Sequence, residues 1–256
     1  MIASSPAATH TRLSVRRRGV GGLRRCDTAV VEPIGPKLAE GRDTEIYVHG
    51  PGRVLRVPRD GRSLVREAEI MRFVADCGYP VPAVHDAGEG YLVMDQVAGP
   101  VLLASAVSHP ERIPAYGRLL AELHSRLHQI TAPPWLAGVE GADGDSLVHR
   151  DLHPLNVLLG SDGPVVIDWA NAARGNPAYD VADTWVLFAT FDIPGDPSQR
   201  QSLAAARMEF LRYFLDASDA DAARAFIPLA VQHRLADRNV RSTERARMLR
   251  LAEWAQ

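Results

Sequence analysis

Only two cysteines, Cys26 and Cys77, occur in a chain of 256 residues. That is too few for a disulfide-stapled scaffold of this size and too scattered for a metal cluster, so both are read as reduced thiols of a cytoplasmic protein. The sequence also lacks any apolar run near the ~20 residues that span a bilayer. Its nearest approach, Trp185–Phe191, is short and flanked by Asp183 and Asp192. It reads as a buried helix. Nor does one sign of charge dominate: 29 basic residues meet 31 acidic ones, for a net charge of −2. No global field then selects nucleic acid or an anionic membrane, and neither is expected as a partner. The length allows one large domain or two small lobes, with ample material for a core.

Residues 1–28 differ from the rest. Arg12, Arg16, Arg17, Arg18, Arg24 and Arg25 face the single acid Asp27, and Gly19, Gly21 and Gly22 interrupt any helix. The paired arginines suggest a twin-arginine signal, but no apolar stretch follows them. A disordered basic tail is expected.

From residue 29 to 97 the pattern is strand-rich. Short β-favouring runs occupy Thr44–Val48 and Arg53–Val57, with the turn residues His49-Gly50-Pro51-Gly52 between them. Ser63–Ala75 is helical, with Val65, Ile70, Phe73 and Val74 able to share one face. Strands near Val84–Asp86 and Tyr91–Asp95 follow, giving the order strand, strand, helix, strand, strand. From 98 to 256 the chain is mainly helical. One helix reaches from Arg112 or Ile113 to Ile130 with Leu119, Leu120, Leu123 and Leu127 at helical spacing. A Pro- and Gly-rich loop covers Thr131–Asp145, and short strands are placed at Val157–Leu159 and Pro164–Ile167. Three helical stretches close the chain at about 179–191, 198–216 and 219–254, the last broken near Asn239.

The most informative segment is His149-Arg150-Asp151-Leu152-His153-Pro154-Leu155-Asn156. An acid lies five residues before an asparagine, an apolar strand starts directly after, and Asp168 closes Val165-Val166-Ile167 twelve residues on. A hydroxyl nucleophile needs an acceptor that orients it and takes its proton, a role suited to Asp151. Magnesium prefers oxygen ligands, which Asn156 and Asp168 supply. Two strands joined by a short turn hold all three groups at one end of a hairpin.

HRDLHPLN followed by VVIDW resembles the Brenner motif and metal-binding aspartate of the aminoglycoside phosphotransferase family, which shares the protein-kinase-like fold. The resemblance implies an α+β, two-lobed architecture: a small antiparallel β-sheet lobe that binds nucleotide, residues 29–97, and a larger, mainly helical catalytic and substrate lobe, residues 98–256. It implies Asp151 as catalytic base, with Asn156 and Asp168 as Mg²⁺ ligands. The later run Gly175-Asn176-Pro177-Ala178-Tyr179-Asp180 fits too, with Asp180 a buried carboxylate that accepts hydrogen bonds from catalytic-loop amides. His149 is expected to serve packing and hydrogen bonding. Arg150 stands where the family more often has glycine.

For the first lobe, the resemblance places the phosphate-steadying cation on Val54-Leu55-Arg56-Val57, as Arg56 where the family usually has lysine. Arginine keeps the charge with a different reach. Glu67 is the implied helix acid that positions it, with Glu69 as competitor. The phosphate-covering turn falls at Glu40–Thr44, with Gly41 its one glycine. Leu92–Gly99 resembles the interlobe linker, in which the Asp95 carbonyl and Val97 amide meet the base edge and Met94 faces the adenine pocket. The implied activity is transfer of the γ-phosphoryl of ATP or GTP to a hydroxyl of a small metabolite or antibiotic. Only eleven residues separate Asp168 from Asp180, which leaves no room for a peptide platform. Alternatives are a catalytically weak nucleotide-binding regulator, suggested by Arg56, and a kinase acting on protein, suggested by Arg150.

Two further features are read conservatively. His124 and His128 have the spacing of a zinc pair, but no glutamate stands between them as required and no third ligand is evident; LAELHSRLH resembles the family's helix before the catalytic loop. Arg234, Arg238, Arg241, Arg245, Arg247 and Arg250 are interspersed with acids and read as a solvated helical face. Residues 221–256 hold seven arginines against four acids, which is poor ground for a polycationic antibiotic and ranks an unspecified metabolite above it.

Overall fold

The computed structural model describes residues 35–41, 43–193, 196–237 and 240–256. The expected basic tail at 1–28, Cys26, Arg42 and Asn239 lie outside the described residues. The described chain divides after Val97 into two compact units.

The first unit is built on an antiparallel sheet of β1 (Lys37–Glu40), β2 (Thr44–Val48), β3 (Arg53–Pro58), β4 (Val84–Gly88) and β5 (Tyr91–Asp95), in the spatial order β1-β2-β3-β5-β4. The sequence pattern did not announce β1. All four of its residues are exposed, so this edge strand has no apolar face to betray it. Strand alternation sends Leu55 and Val57 of β3 to one face and Val54 and Arg56 to the other. Leu55, Tyr91 and Val93 form a small core with Tyr47 and Val57 packed against it.

The helix α1 (Val65–Asp76) buries Ala68, Ile70, Met71 and Val74, and with them Glu67. The expected apolar face is thus rotated: Val65 is exposed and Met71 takes its place inside. The physical reason is Glu67, whose carboxylate turns inward to pair with Arg56 on β3. The helix ends at Gly78, whose φ of 75° lets the Tyr79 amide bond the Val74 carbonyl at 3.1 Å.

The second unit holds α2 (Leu102–Ser108), α3 (Ile113–His128), β6 (Ser146–Val148), β7 (Val157–Gly160), β8 (Gly163–Val166), β9 (Ala173–Gly175), α4 (Pro177–Thr190), α5 (Pro197–Asp216), α6 (Ala220–Leu235) and α7 (Ser242–Ala255). Helix α4 packs most extensively on α6, and α3 on α5. Two ribbons, β6–β9 and β7–β8, carry the polar segments between the helices. Asn176 caps α4 by accepting from the Ala178 amide, and Asp196 caps α5 with Pro197 at its first position. The final helical stretch is broken between Leu235 and Ser242. The Pro- and Gly-rich loop is pinned to the unit, since the Val139 amide donates to the Arg174 carbonyl and the Arg174 amide to the Ala137 carbonyl, at 2.8 and 2.9 Å.

Gly99 shows how tightly the segment before α2 is held. Its φ is 152°, and a Cβ there would lie 2.0 Å from the Leu159 carbonyl oxygen. That carbonyl cannot simply withdraw, because the Leu159 amide is bonded to Pro100 at 2.9 Å. Gly99→Ala is expected to lower stability by about 1–3 kcal/mol, the usual cost of overpacking, as a shift of the urea midpoint at unchanged slope.

Candidate active site

The loop joining β6 to β7 carries Asp151 and Asn156, and Asp168 follows β8 by two residues. Val157 pairs with Val166 in the hairpin, and the Ile167 amide donates to the Asn156 carbonyl at 3.0 Å. The ladder therefore sets Asn156 and Asp168 at the same end of the β7–β8 hairpin. The Asn156 side-chain nitrogen donates to the Asp151 carbonyl at 2.9 Å and contacts the Asp151 carboxylate at 3.3 Å. With its nitrogen committed, the amide oxygen of Asn156 is available to a cation.

Among the described residues, two that are not glycine have left-handed backbone, Arg150 (φ 64°) and Asp168 (φ 67°). Such conformations cost of order 1–3 kcal/mol and persist only when their surroundings impose them. At Arg150 the constraint is visible. The fully buried Asp180 accepts from the His149 amide at 3.0 Å and the Arg150 amide at 2.7 Å. A glycine-compatible backbone at 150 accounts for the residue type usual in the family resembled. Burial alone would raise the Asp180 carboxyl, but the His128 hydrogen bond, the neighbouring histidines and the loop amides hold it well below the usual carboxylate range. Its place in the first turn of α4 adds a favourable dipole. His149 is fully buried, with Nε2 3.2 Å from the Ile167 carbonyl and its ring 4.7 Å from Trp169. Both residues thus take the structural positions expected of them.

Arg234 overturns its sequence reading as part of a solvated face. Its Nε and Nη2 each lie 2.8 Å from an Asp183 oxygen, and Nη2 lies 3.1 Å from Asp151 Oδ1. The side chain spans from α6 to α4 and on to the loop that carries Asp151. Burial pushes the Asp183 carboxyl up to about 6 against the pull of Arg234, while the two hydrogen bonds from the guanidinium favour the ionised form. A signal for this was present in the sequence. Asp183 stands among Val181, Ala182, Trp185 and Val186, and an acid on a buried helix demands a countercharge. The Asp151 carboxylate also has His153 Nε2 at 3.7 Å. Burial would raise Asp151, but His153 and then Arg234 outweigh it and keep the carboxyl well below its ordinary value.

In the first unit, Arg56 and Glu67 form a direct, buried ion pair, with side chains 8% and 3% exposed. Glu69 is exposed, which decides between the two acids for the partnership. Lys37 is the only lysine in the sequence; it is exposed and paired with Glu40 at 2.5 Å, leaving arginine as the cation of β3. The Gly41 amide closes its turn onto the Thr44 carbonyl at 2.8 Å. Asp95 ends β5, its amide bonded to Ala83 at 3.0 Å and its carboxylate 2.6 Å from His85. Val97 is the last residue of the unit.

A family model described as the phosphotransferase enzyme family matches residues 36–145 and 135–226. The chain belongs to that family. It is a phosphotransferase with an alcohol group as acceptor, on an α+β protein-kinase-like fold with a small antiparallel sheet lobe and a mainly helical lobe. Similar solved structures include an ADP-bound aminoglycoside phosphotransferase APH(2″)-Ib (14% identity, TM-score 0.56, covering 89% of this chain and 93% of that one). A choline/ethanolamine kinase family protein from Mesorhizobium loti is similar at 16% identity and TM-score 0.55, covering 89% and 88%. An aminoglycoside-3′-phosphotransferase of type VIII shares 22% identity at TM-score 0.51, covering 86% and 92%. These likenesses are of fold. No curated protein matches the sequence. Among the described residues, no helix is long and apolar enough to cross a membrane.

Two outcomes follow for this phosphotransferase. Arg234→Met leaves Asp183 buried without its countercharge, and a loss of about 3–5 kcal/mol is expected in denaturant titration, partly recovered by adding Asp183→Asn. The depressed Asp180 carboxyl contributes stability that is present above its unfolded value of about 3.9 and lost as pH falls through that value toward the folded one. The thermal midpoint of the wild type should therefore fall more steeply on acidification below about pH 4 than that of Asp180→Asn. Parallel curves would contradict the assignment.

Proposed function

We propose that the chain transfers the γ-phosphoryl group of ATP or GTP to a hydroxyl of a small metabolite. The observation that supports this most is the grouping of the Asp151 carboxylate with Asn156 beside it and Asp168 at the same hairpin end, on a chain of this family. Nucleotide use agrees with the ADP-bound and GDP-complexed enzymes among the similar structures.

The donor set suits Mg²⁺. Asn156 offers an amide oxygen and Asp168 a carboxylate, both hard ligands. When bound there, the ion would neutralise charge on the phosphate oxygens. The remaining roles belong to the chain. Asp151 orients the acceptor hydroxyl and receives its proton. Arg234 and His153 keep its carboxylate ionised and weakly basic, which fits a loose transition state in which the proton leaves late. Arg56, fixed by Glu67, steadies the α- and β-phosphates. Gly41 lets the phosphate-covering turn approach closely, and the Asp95 carbonyl and Val97 amide meet the base edge. The first unit then serves as the nucleotide-binding lobe and the second as the catalytic and substrate lobe.

The acceptor is read as neutral or modestly charged. Arg234 offsets one of the two negative charges of Asp151 and Asp183, Arg150 precedes Asp151 in the chain, and residues 221–256 are basic on balance. A polycation meets little attraction there, so a hydroxyl metabolite ranks above an aminoglycoside.

Asp151→Ala is expected to lower turnover on the order of 10²–10⁴-fold with little change in nucleotide affinity, and Asp168→Ala to lower turnover while weakening the Mg²⁺ dependence. Wild-type turnover in either variant would sink the assignment. In competition between neutral and polycationic acceptors, the neutral class should be phosphorylated first; clear preference for an aminoglycoside would reverse the substrate ranking.

A further inference from the structure

The zinc-like spacing of His124 and His128 on α3 gains in the structure what it lacked in the sequence, a third group. Asp180 Oδ2 lies 3.0 Å from His128 Nε2 and 3.6 Å from His124 Nδ1, and the three atoms fall within 4.8 Å of one another. Ligands about 2.0–2.1 Å from a tetrahedral zinc ion stand roughly 3.3 Å apart, close to both separations. His124 Nδ1 is buried and has no hydrogen-bond partner among the described residues. The ring's other nitrogen, Nε2, is 3.1 Å from the Leu152 carbonyl. Donation there fixes the tautomer with the Nδ1 lone pair directed at the carboxylate. Two acceptors then face each other at 3.6 Å in a buried place, Oδ2 already taking the His149 amide and His128 Nε2 at 3.0 Å each, and a cation between them would relieve that opposition. The backbone carbonyl behind the imidazole is the usual outer support of a zinc-ligating histidine.

We propose that His124 Nδ1, His128 Nε2 and Asp180 Oδ2 bind a zinc-class divalent ion, distinct from the oxygen-ligated Mg²⁺ site. Two imidazoles and one carboxylate select zinc or cobalt over magnesium. A cleft of about 410 Å³ lies against His124 and His128, with Asn176 and Val181 also in its wall, and is the side from which an ion and a fourth, water ligand would approach. On binding, His128 carries its ring proton on Nδ1, and the ion replaces the Nε2 proton facing Asp180. Asp180 Oδ1 stays with the Arg150 amide, so the ion ties α3 and α4 to the loop that carries Asp151.

The test is an optical titration of the untagged full chain with Co²⁺ in excess Mg²⁺. One equivalent should give the intense visible spectrum of a tetrahedral site and be displaced by Zn²⁺. His128→Gln keeps a donor for Asp180 but removes the imidazole; it should bind cobalt more weakly by beyond the roughly 10–100-fold that loss of an outer partner costs. Asp168→Asn should leave the signal intact. X-ray absorption of the zinc-loaded wild type should show two imidazoles in the first shell. No tetrahedral spectrum, equal binding by His128→Gln, or a shell without two imidazoles would each overturn the proposal.

Discussion

The buried carboxylate of Asp180 is the constraint on which the loop carrying Asp151 depends. It takes the amides of His149 and Arg150 at 3.0 and 2.7 Å, and in doing so imposes left-handed backbone on a residue with a bulky side chain. That turn sets the direction in which the chain emerges at Asp151. Asn156 then bonds back to the Asp151 carbonyl, so the acid and the first candidate metal ligand are fixed to each other. Because Asp180 stands in the first turn of α4, the helix, the loop and the hairpin behind it are registered through one side chain.

Electrostatics complete the arrangement. Three carboxylates, Asp151, Asp180 and Asp183, approach one another in a poorly solvated region, which is unfavourable without cations. Arg234 answers two of them, and His128 and the loop amides answer the third. The same charges that make burial tolerable also keep Asp151 ionised. With Asp151 as the proposed base, stability and chemistry rest on shared groups, and a substitution at Arg234 or Asp180 is expected to alter both. In the first unit Arg56 and Glu67 repeat the pattern on a smaller scale, since removing either would strand a buried charge.

Much of this was legible in the sequence because local pattern sufficed. The H-x-D-x-x-x-x-N spacing followed by Ile-Asp-Trp carried the family, and apolar periodicity carried the long helices and the central strands. What escaped had a different physical origin. The edge strand β1 has no buried face, and the ribbon β6–β9 has only three residues in each strand, below the length at which alternation is readable. The rotation of α1 depended on Glu67, a charged residue that no amphipathicity rule sends inward. Arg234 lies fifty-one residues from Asp183, and only the tertiary packing of α6 on α4 brings them together. The choice between Glu67 and Glu69 was likewise settled by burial, not by motif.

The central claim is phosphoryl transfer from a nucleotide to a small hydroxyl compound. The most direct test is nucleoside diphosphate release with ATP or GTP and Mg²⁺ across a panel of amino alcohols, sugars and other hydroxyl metabolites, with the phosphorylated product identified. The account predicts release that depends on one class of acceptor, with phosphate recovered as its ester. A folded protein that binds no nucleotide, or that releases phosphate to water at the same rate whatever acceptor is present, would contradict it.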